Sequence, residues 1–295
     1  MRNPREEGRP CPLSVRFVAV ALSGALLTAC VNVDLEESDI YRPQPGAALT
    51  AEALNARAPG YRLEPQVIAA ADGLKLAGVL LRRPGADRTV LYFGGNLTTV
   101  GGNGPAIAAQ LAPLNVNLML VDYRGYGASG KAQASTASLM SDALAVFDHL
   151  AGLPGIDARS VVVHGQSLGS FMAGQVAASR PTAGVVLESS ATTAEEFAEA
   201  GVPVYARPFV RLRIAEGLRG QGNLKQMDRL DEPLLILVGA EDDATPAVFS
   251  RRLFEASTLP AARKGLVVVE GVGHNGVLNR PAAMKAYAEF LARTR

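Results

Sequence analysis

The sequence predicts an α/β protein with a mostly parallel central sheet and helices on both faces. Along most of the chain, short apolar runs rich in β-branched residues alternate with longer segments whose apolar residues keep a helical spacing. Strands buried on both faces appear as continuous apolar runs, and their alternation with helices is typical of a parallel sheet. The chain has 295 residues, of which 48% are hydrophobic and 19% charged, so it can form a sizeable core.

The secondary structure elements can be placed in order from about residue 61. The first two strands, at 66–70 and 74–81, form an antiparallel pair around a turn, with Gly78 as a candidate β-bulge. The later strands are predicted at 89–93, 116–121, 161–164, 184–187, 234–238 and 266–269. The helices are predicted to start at Pro105 and to cover 138–150, 171–179, 246–256 and 280–292, the last with Asn279 as its N-cap. Residues 191–230 interrupt the alternation.

The N-terminus has the pattern of an export signal. Four arginines precede an apolar segment, Phe17–Ala29, that is too short to span a membrane comfortably. Leu27-Thr28-Ala29-Cys30 resembles a bacterial lipobox, which implies cleavage before Cys30. The resemblance also implies a diacylglycerol thioether on Cys30 and an acyl chain such as palmitate on its amino group. An ordinary secretory signal and an uncleaved anchor are the alternatives.

These features predict three regions. Residues 1–29 form a lipoprotein signal peptide, 30–60 a lipidated N-terminus and tether with one short helix, and 61–295 the main folded domain, with an insertion at about 191–230. Several acyl chains would hold the protein on a membrane where one would not. The resemblance implies the bacterial cell envelope, and Val31 after the cysteine resembles lipoproteins sent to the Gram-negative outer membrane, facing the periplasm.

Composition argues against several classes of partner. With 29 Lys and Arg against 28 Asp and Glu, the chain has no basic excess for nucleic acid. Both cysteines, Cys11 and Cys30, lie in the first thirty residues, so they provide no zinc site. Three histidines, His149, His164 and His274, are too few for a His-based metal cluster. We therefore expect no metal and no cofactor.

The segment Gly165-Gln166-Ser167-Leu168-Gly169 lies between a predicted strand and a predicted helix. A serine between two glycines at such a junction is typical of a nucleophile elbow, a sharp turn that exposes the serine Oγ above the sheet. The glycines leave no side chain where the turn is tightest.

With these elements in this order, the chain resembles an α/β-hydrolase of the serine hydrolase type over residues 61–293. The resemblance implies Ser167 as nucleophile and His274, in a loop before the last helix, as base. It selects Asp242 as the acid from the segment 239–246, with Asp243 and Glu188 as alternatives. His149 is predicted to be a favourable charge at a helix C-terminus, and His164 to pack under the site.

The resemblance also implies an oxyanion hole built from two backbone N–H groups. One belongs to Leu168, directly after the nucleophile, and the other to Asn96. Relatives often carry His-Gly-Asn where this chain has Gly94-Gly95-Asn96, so the anchoring of that loop is in question. The loop 122–129 also matches the family and is expected to be structural, with Tyr123 near the pocket mouth.

The closest family resemblance is to membrane-associated single-domain esterases and thioesterases. It implies cleavage of a carboxylic ester or thioester in a small or acylated substrate through an acyl-enzyme. Residues 191–230 fall where such enzymes carry a lid, which would set substrate selection. A peptidase of the same fold acting on short peptides and a non-catalytic binding lipoprotein are the alternatives.

Overall fold

A computed structural model describes residues 31–294 of the chain. Within them, the main sheet has eight strands in the spatial order β10-β9-β7-β6-β4-β5-β3-β2. Its strands are β2 (Arg62–Ala69), β3 (Lys75–Arg82), β4 (Thr89–Phe93), β5 (Asn117–Val121), β6 (Val161–Gln166), β7 (Gly184–Glu188), β9 (Leu234–Gly239) and β10 (Lys264–Val269). Only β3 pairs antiparallel with its neighbours, β2 and β5; the other pairs are parallel. The predicted mostly parallel sheet is confirmed.

Helices cover both faces of the sheet. They are α1 (Glu37–Ile40), α2 (Ala51–Arg57), α3 (Val100–Leu111), α4 (Thr136–Ala151), α5 (Leu168–Ala177), α6 (Ala194–Ala200), α7 (Ala247–Ala256) and α8 (Pro281–Arg293). Buried residues of α4, α5 and α7 join one hydrophobic cluster, and those of α2, α3 and α8 join a second. Because side chains alternate along a strand, successive residues such as Val162 and Val163 belong to opposite clusters.

Three local predictions are wrong. Helix α3 begins five residues before Pro105, because the Thr99 side chain accepts a hydrogen bond from Gly102 N (3.2 Å) and caps it. Gly78 pairs in unbroken register with both neighbouring strands, without a bulge; a Cβ there would lie 2.9 Å from Leu120 O, so close backbone approach explains the glycine. Asn279 makes no cap for α8, since Arg280 holds that position and Asn279 Oδ1 accepts from a glutamine side chain of α3 (2.9 Å).

Residues 31–60 pack along the domain, whereas a tether was predicted. The short helix expected there is α2, which buries Leu54. Tyr41 is buried and its hydroxyl lies 2.6 Å from Thr136 Oγ1 at the start of α4. Gly46 N donates to Gly127 O (2.8 Å), so the segment is also held by backbone hydrogen bonds. These contacts are with residues distant in sequence, so the local composition did not reveal them.

The insertion at 191–230 has one strand, β8 (Val210–Ile214). It pairs in parallel with β1 (Val31–Leu35), outside the main sheet, with Val31 opposite Val210. The lid region and the N-terminal segment therefore form one small structural unit. No helix in residues 31–294 has both the length and the hydropathy needed to cross a bilayer. The predicted signal peptide at 1–29 and Cys30 lie outside the described residues.

Candidate active site

Ser167 lies at the sharp turn between β6 and α5. Its backbone has φ 52° and ψ −119°, a conformation that costs about 1–3 kcal/mol and is characteristic of functional sites. Ser167 N donates to Glu188 O on the adjacent strand (2.8 Å), which holds the turn. A Cβ at Gly165 would lie 2.2 Å from Gly169 O, and one at Gly169 would lie 2.0 Å from Phe93 O. The two glycines are therefore required by close backbone packing.

The structure brings Ser167, His274 and Asp242 together. His274 Nε2 lies 2.9 Å from Ser167 Oγ, and His274 Nδ1 lies 2.9 Å from Asp242 Oδ1. Asp242 follows β9 and His274 follows β10, so both loops leave the carboxyl edge of the sheet beside the turn that carries the serine. Because Nδ1 faces a carboxylate it carries the proton, which leaves Nε2 free to accept the serine proton.

Asp242 is held in its ionised form. Burial is the largest influence and disfavours the charge, but the hydrogen bond and charge of His274 and two donors from Thr245 together lower the carboxyl pKa below its ordinary value. Thr245 Oγ1 lies 2.8 Å from Asp242 Oδ2 and 2.9 Å from Ser189 O, and Thr245 N donates to Oδ1 (2.7 Å). Thr245 was not identified from the sequence, although an Asp followed three residues later by Thr is a local turn signal.

The other candidate acids and histidines lie elsewhere. Asp243 is exposed, and Glu188 Oε2 lies 3.1 Å from Nε2 of the fully buried His164. His164 thus packs under the site, in contact with a carboxylate that was considered for the triad. His149 lies 2.9 Å from Gln66 Oε1, and burial lowers its pKa, so its predicted role as a positive helix terminus is not supported.

One predicted oxyanion donor directly follows the serine, and the other belongs to a loop that passes close to it. Leu168 begins α5, and Gly95 approaches so closely that a Cβ on it would lie 3.7 Å from Ser167 Cβ. Within residues 31–294, neither the Leu168 N–H nor the Asn96 N–H donates to another protein atom. Two unpaired backbone donors beside a nucleophile can stabilise a developing oxyanion.

The loop Gly94–Leu97, named here the oxyanion loop, is anchored without the histidine common in relatives. Tyr123 is buried beneath it rather than at a pocket mouth, and its hydroxyl donates to Gly94 O (2.7 Å). Asn96 Oδ1 accepts from the Tyr126 hydroxyl (2.7 Å) and from Arg42 N (3.1 Å). The Asn96 side-chain amide also donates to Ile40 O. The N-terminal segment therefore helps to hold the loop.

The arrangement has the parts needed for nucleophilic acyl transfer. It holds a hydroxyl next to an imidazole, a carboxylate behind that imidazole, and two free amide donors. Among the described residues, no group of three or more His, Cys, Asp or Glu side chains could hold a metal ion.

Comparisons with known proteins agree with this architecture. A family model described as serine aminopeptidase, S33 (Hydrolase_4) matches residues 86–224. The chain is 31% identical over 298 residues to uncharacterized protein Rv2307c of Mycobacterium tuberculosis, an alignment covering 95% of this chain and 94% of that protein. It is 27% identical over 222 residues to human α/β hydrolase domain-containing protein 17B, covering 75% of this chain and 70% of the human one.

Among solved structures, the esterase Pf2001 of Pyrococcus furiosus superposes with a TM-score of 0.68 at 19% identity, covering 86% of this chain and 97% of that one. At that identity the likeness shows the fold alone. The near-full-length relative, the matching hydrolase family and the sheet architecture together show that this chain is a hydrolase belonging to the α/β-hydrolase superfamily.

Proposed function

We propose that the protein is a serine hydrolase that cleaves a carboxylic ester or thioester through an acyl-enzyme. The observation that carries the proposal is the continuous line of hydrogen-bond distances from Ser167 Oγ through His274 to Asp242, each 2.9 Å. In this role Ser167 is the nucleophile, His274 the general base and then acid, and Asp242 the group that orients the imidazole.

The proposed reaction has two halves. Ser167 Oγ attacks the carbonyl carbon while His274 Nε2 takes its proton, and the amides of Leu168 and Asn96 donate to the resulting oxyanion. Collapse of this tetrahedral intermediate breaks the carbon–oxygen or carbon–sulfur bond, and His274 returns the proton to the leaving alcohol or thiol. Water activated by His274 then hydrolyses the acyl-enzyme and regenerates the serine.

The main alternative is a peptidase, because the family model is described as a serine aminopeptidase. An aminopeptidase needs a carboxylate to bind the substrate's charged amino terminus. The buried carboxylates of residues 31–294 are Asp122, Asp142, Glu188 and Asp242. Each already has a protein hydrogen-bond partner. Glu195 in α6 has a buried Oε2 with no hydrogen-bond partner among the described residues, so it is the carboxylate that could serve a peptidase. Leu97, in the oxyanion loop, offers exposed apolar surface that suits an acyl chain, and on that ground we favour an acyl substrate.

Labelling of the purified protein with a fluorophosphonate probe tests the proposal. We expect stoichiometric labelling of wild type and none of Ser167→Ala, with thermal melts showing that both are folded. Parallel assays with an ester, a thioester and an aminoacyl anilide would then separate esterase from peptidase. Folded wild-type protein that takes up no probe would support the non-catalytic binding lipoprotein instead.

We further propose that Cys30 is lipidated and that the protein is anchored in the bacterial cell envelope, at the outer membrane if the cell is Gram-negative. Support comes from the lipobox-like sequence before Cys30. Metabolic labelling with an alkyne analogue of palmitate should mark wild type but not Cys30→Ser, and membrane recovery should be much lower for Cys30→Ser than for wild type. Equal membrane recovery of the two proteins would contradict lipidation as the anchor.

A further inference from the structure

Exposed large apolar side chains are concentrated beside the N-terminal end of the described chain. In residues 31–294, seven such residues are more than two-fifths exposed, and four of them lie on β1 or just before β8. These four, named here the apolar lid patch, are Val31 (57% exposed), Val204 (74%), Tyr205 (82%) and Phe209 (58%). An exposed cluster of this kind marks an interaction surface more often than a chance arrangement.

The patch is held together by backbone pairing. Val31 lies opposite Val210 in the β1–β8 ladder, so it is adjacent to Phe209. Between Val204 and Phe209 the chain forms tight turns, in which Phe209 N donates to Ala206 O (2.9 Å). Leu35 lies on the same face of β1 as Val31 and packs on the hydrophobic core. The patch is therefore the exposed N-terminal end of that face, together with the turns before β8.

The segment from the patch through β8 is rich in arginine, although Glu199 and Glu216 flank it and Asp34 lies on the paired strand β1. Residues 202–215 contain three arginines and no acidic residue. Arg207, Arg211 and Arg213 are all exposed, and Arg213 alone of the three lies near a carboxylate, 4.0 Å from Asp34. Apolar and aromatic side chains bordered by arginines are characteristic of surfaces that lie in the headgroup region of an anionic bilayer.

The chain that precedes the patch points to the same occupant. Val31 directly follows Cys30 and the apolar segment Phe17–Ala29. Under the proposed anchoring, the membrane attachment point is the residue next to the patch, with no intervening spacer. A surface at that distance from the attachment point meets the bilayer before it meets any other partner.

We propose that the apolar lid patch inserts into the headgroup region of an anionic phospholipid bilayer, so that the lid region itself contacts the membrane. This inference rests on the proposed N-terminal anchoring for its geometry, but not on the proposed hydrolytic reaction.

The absence of tryptophan from the chain allows a direct test. Full-length Tyr205→Trp carries a single fluorophore in the patch, and Val67→Trp carries a matched one at a 65% exposed position on β2. Both tryptophan variants are purified from membranes and reconstituted into phosphatidylglycerol–phosphatidylcholine vesicles, with or without brominated acyl chains. We expect blue-shifted emission and roughly twofold quenching for Trp at 205, because such patches insert about 5–10 Å, and neither effect for Trp at 67.

Two further measurements make the outcome decisive. Flotation assays compare two variants that both lack the lipid anchor, Cys30→Ser alone and Cys30→Ser combined with Arg211→Gln. The added Arg211→Gln should weaken partition to anionic vesicles about fivefold and leave partition to zwitterionic vesicles unchanged. If the protein floats with vesicles while the emission of Trp at 205 is unquenched, the anchor exists and the patch proposal is wrong. A blue shift that appears without vesicles and grows with protein concentration would assign the patch to a second copy of the chain and also overturn the proposal. Quenching in a protein that takes up no fluorophosphonate would support the patch while refuting the hydrolytic function.

Discussion

The anchoring of the oxyanion loop predicts that three chemically identical substitutions will have different effects on catalysis. Tyr41, Tyr123 and Tyr126 are all buried, and each hydroxyl makes a hydrogen bond of 2.6–2.7 Å. Burial raises the pKa of Tyr41 and Tyr126 to about 12 and that of Tyr123 well above its ordinary value, so all three hydroxyls keep their protons at assay pH. Tyr→Phe removes one hydrogen bond at Tyr41 and at Tyr123, and two at Tyr126, whose oxygen also accepts from Arg42 N (2.8 Å).

The expected magnitudes follow from what each hydroxyl contacts. Loss of one net hydrogen bond should destabilise Tyr41→Phe and Tyr123→Phe by about 1 kcal/mol each, and loss of two should destabilise Tyr126→Phe by about 2 kcal/mol. If that energy is lost at the oxyanion loop, 1 kcal/mol lowers kcat about fivefold for Tyr123→Phe, because Tyr123 provides the side-chain donor to Gly94 O. Tyr126→Phe should lose about twofold, since Arg42 N still donates to Asn96. Tyr41→Phe should keep full kcat, because its hydroxyl contacts α4 instead.

Hydrolysis of a p-nitrophenyl ester, with kcat and KM measured separately, and urea unfolding of the same preparations are the assays. KM should stay unchanged in all three variants, because an oxyanion hole acts on the transition state and not on the bound ester. Equal losses of kcat in the three variants would show that general destabilisation causes them. Unchanged kcat in Tyr123→Phe would refute the role of Tyr123 in positioning the oxyanion loop.

The remaining predictions concern the proposed catalytic residues and the turn. Asp242→Asn should lower kcat roughly 10³–10⁴-fold in steady-state assays, because the amide leaves His274 in the wrong tautomer. Because the pKa of Asp242 is lowered, its carboxylate stabilises the fold at pH values above 3.8, the ordinary carboxyl pKa. This stabilisation is lost as the pH falls through the lowered pKa. Urea titrations should therefore show the difference in unfolding free energy between wild type and Asp242→Asn closing below about pH 4. Thr245→Val should lower kcat about tenfold and destabilise the fold by about 1–3 kcal/mol, because the buried carboxylate of Asp242 loses a donor; an unchanged kcat would contradict this. Gly169→Ala should cost about 3 kcal/mol or more in unfolding measurements, because its Cβ would meet the β4 backbone at 2.0 Å, and near-wild-type stability would refute that packing argument.

Much of the sheet could be predicted because its information is local. The run 89–93 is apolar and β-branched, and it coincides with β4; the run 234–238 differs from β9 by one residue. Helix starts were less accurate, because a cap such as Thr99 depends on a hydrogen bond that a periodic pattern does not reveal. The strand β8 had a local signal that was overlooked, since Val210, Leu212 and Ile214 alternate with arginines in the period of a half-buried strand.

The residues of the candidate site also fall into two groups, those with a local sequence signal and those without one. Ser167 and His274 belong to short motifs at strand ends, so both could be proposed from the sequence alone, and the structure brings them together with Asp242 rather than with Asp243. The residues that position them could not be selected, because their partners are far apart in sequence: Tyr126 is 30 residues from Asn96, and Arg42 is 54 residues from it. Such pairs are defined only once the chain has folded.

These non-local contacts imply that the N-terminal segment supports the site and is not a flexible tether. A flexible tether of about 30 residues would let the domain move about 30 Å from its attachment point. In the structure, Val31 is already paired with Val210, and backbone groups of Ile40 and Arg42 hold Asn96. If Cys30 carries the lipid, the nucleophile is therefore held at a fixed height above the bilayer by the same segment that supports its oxyanion loop. Under that anchoring, we expect the enzyme to favour acyl groups presented at the membrane surface, since it cannot extend toward substrates at a distance from it.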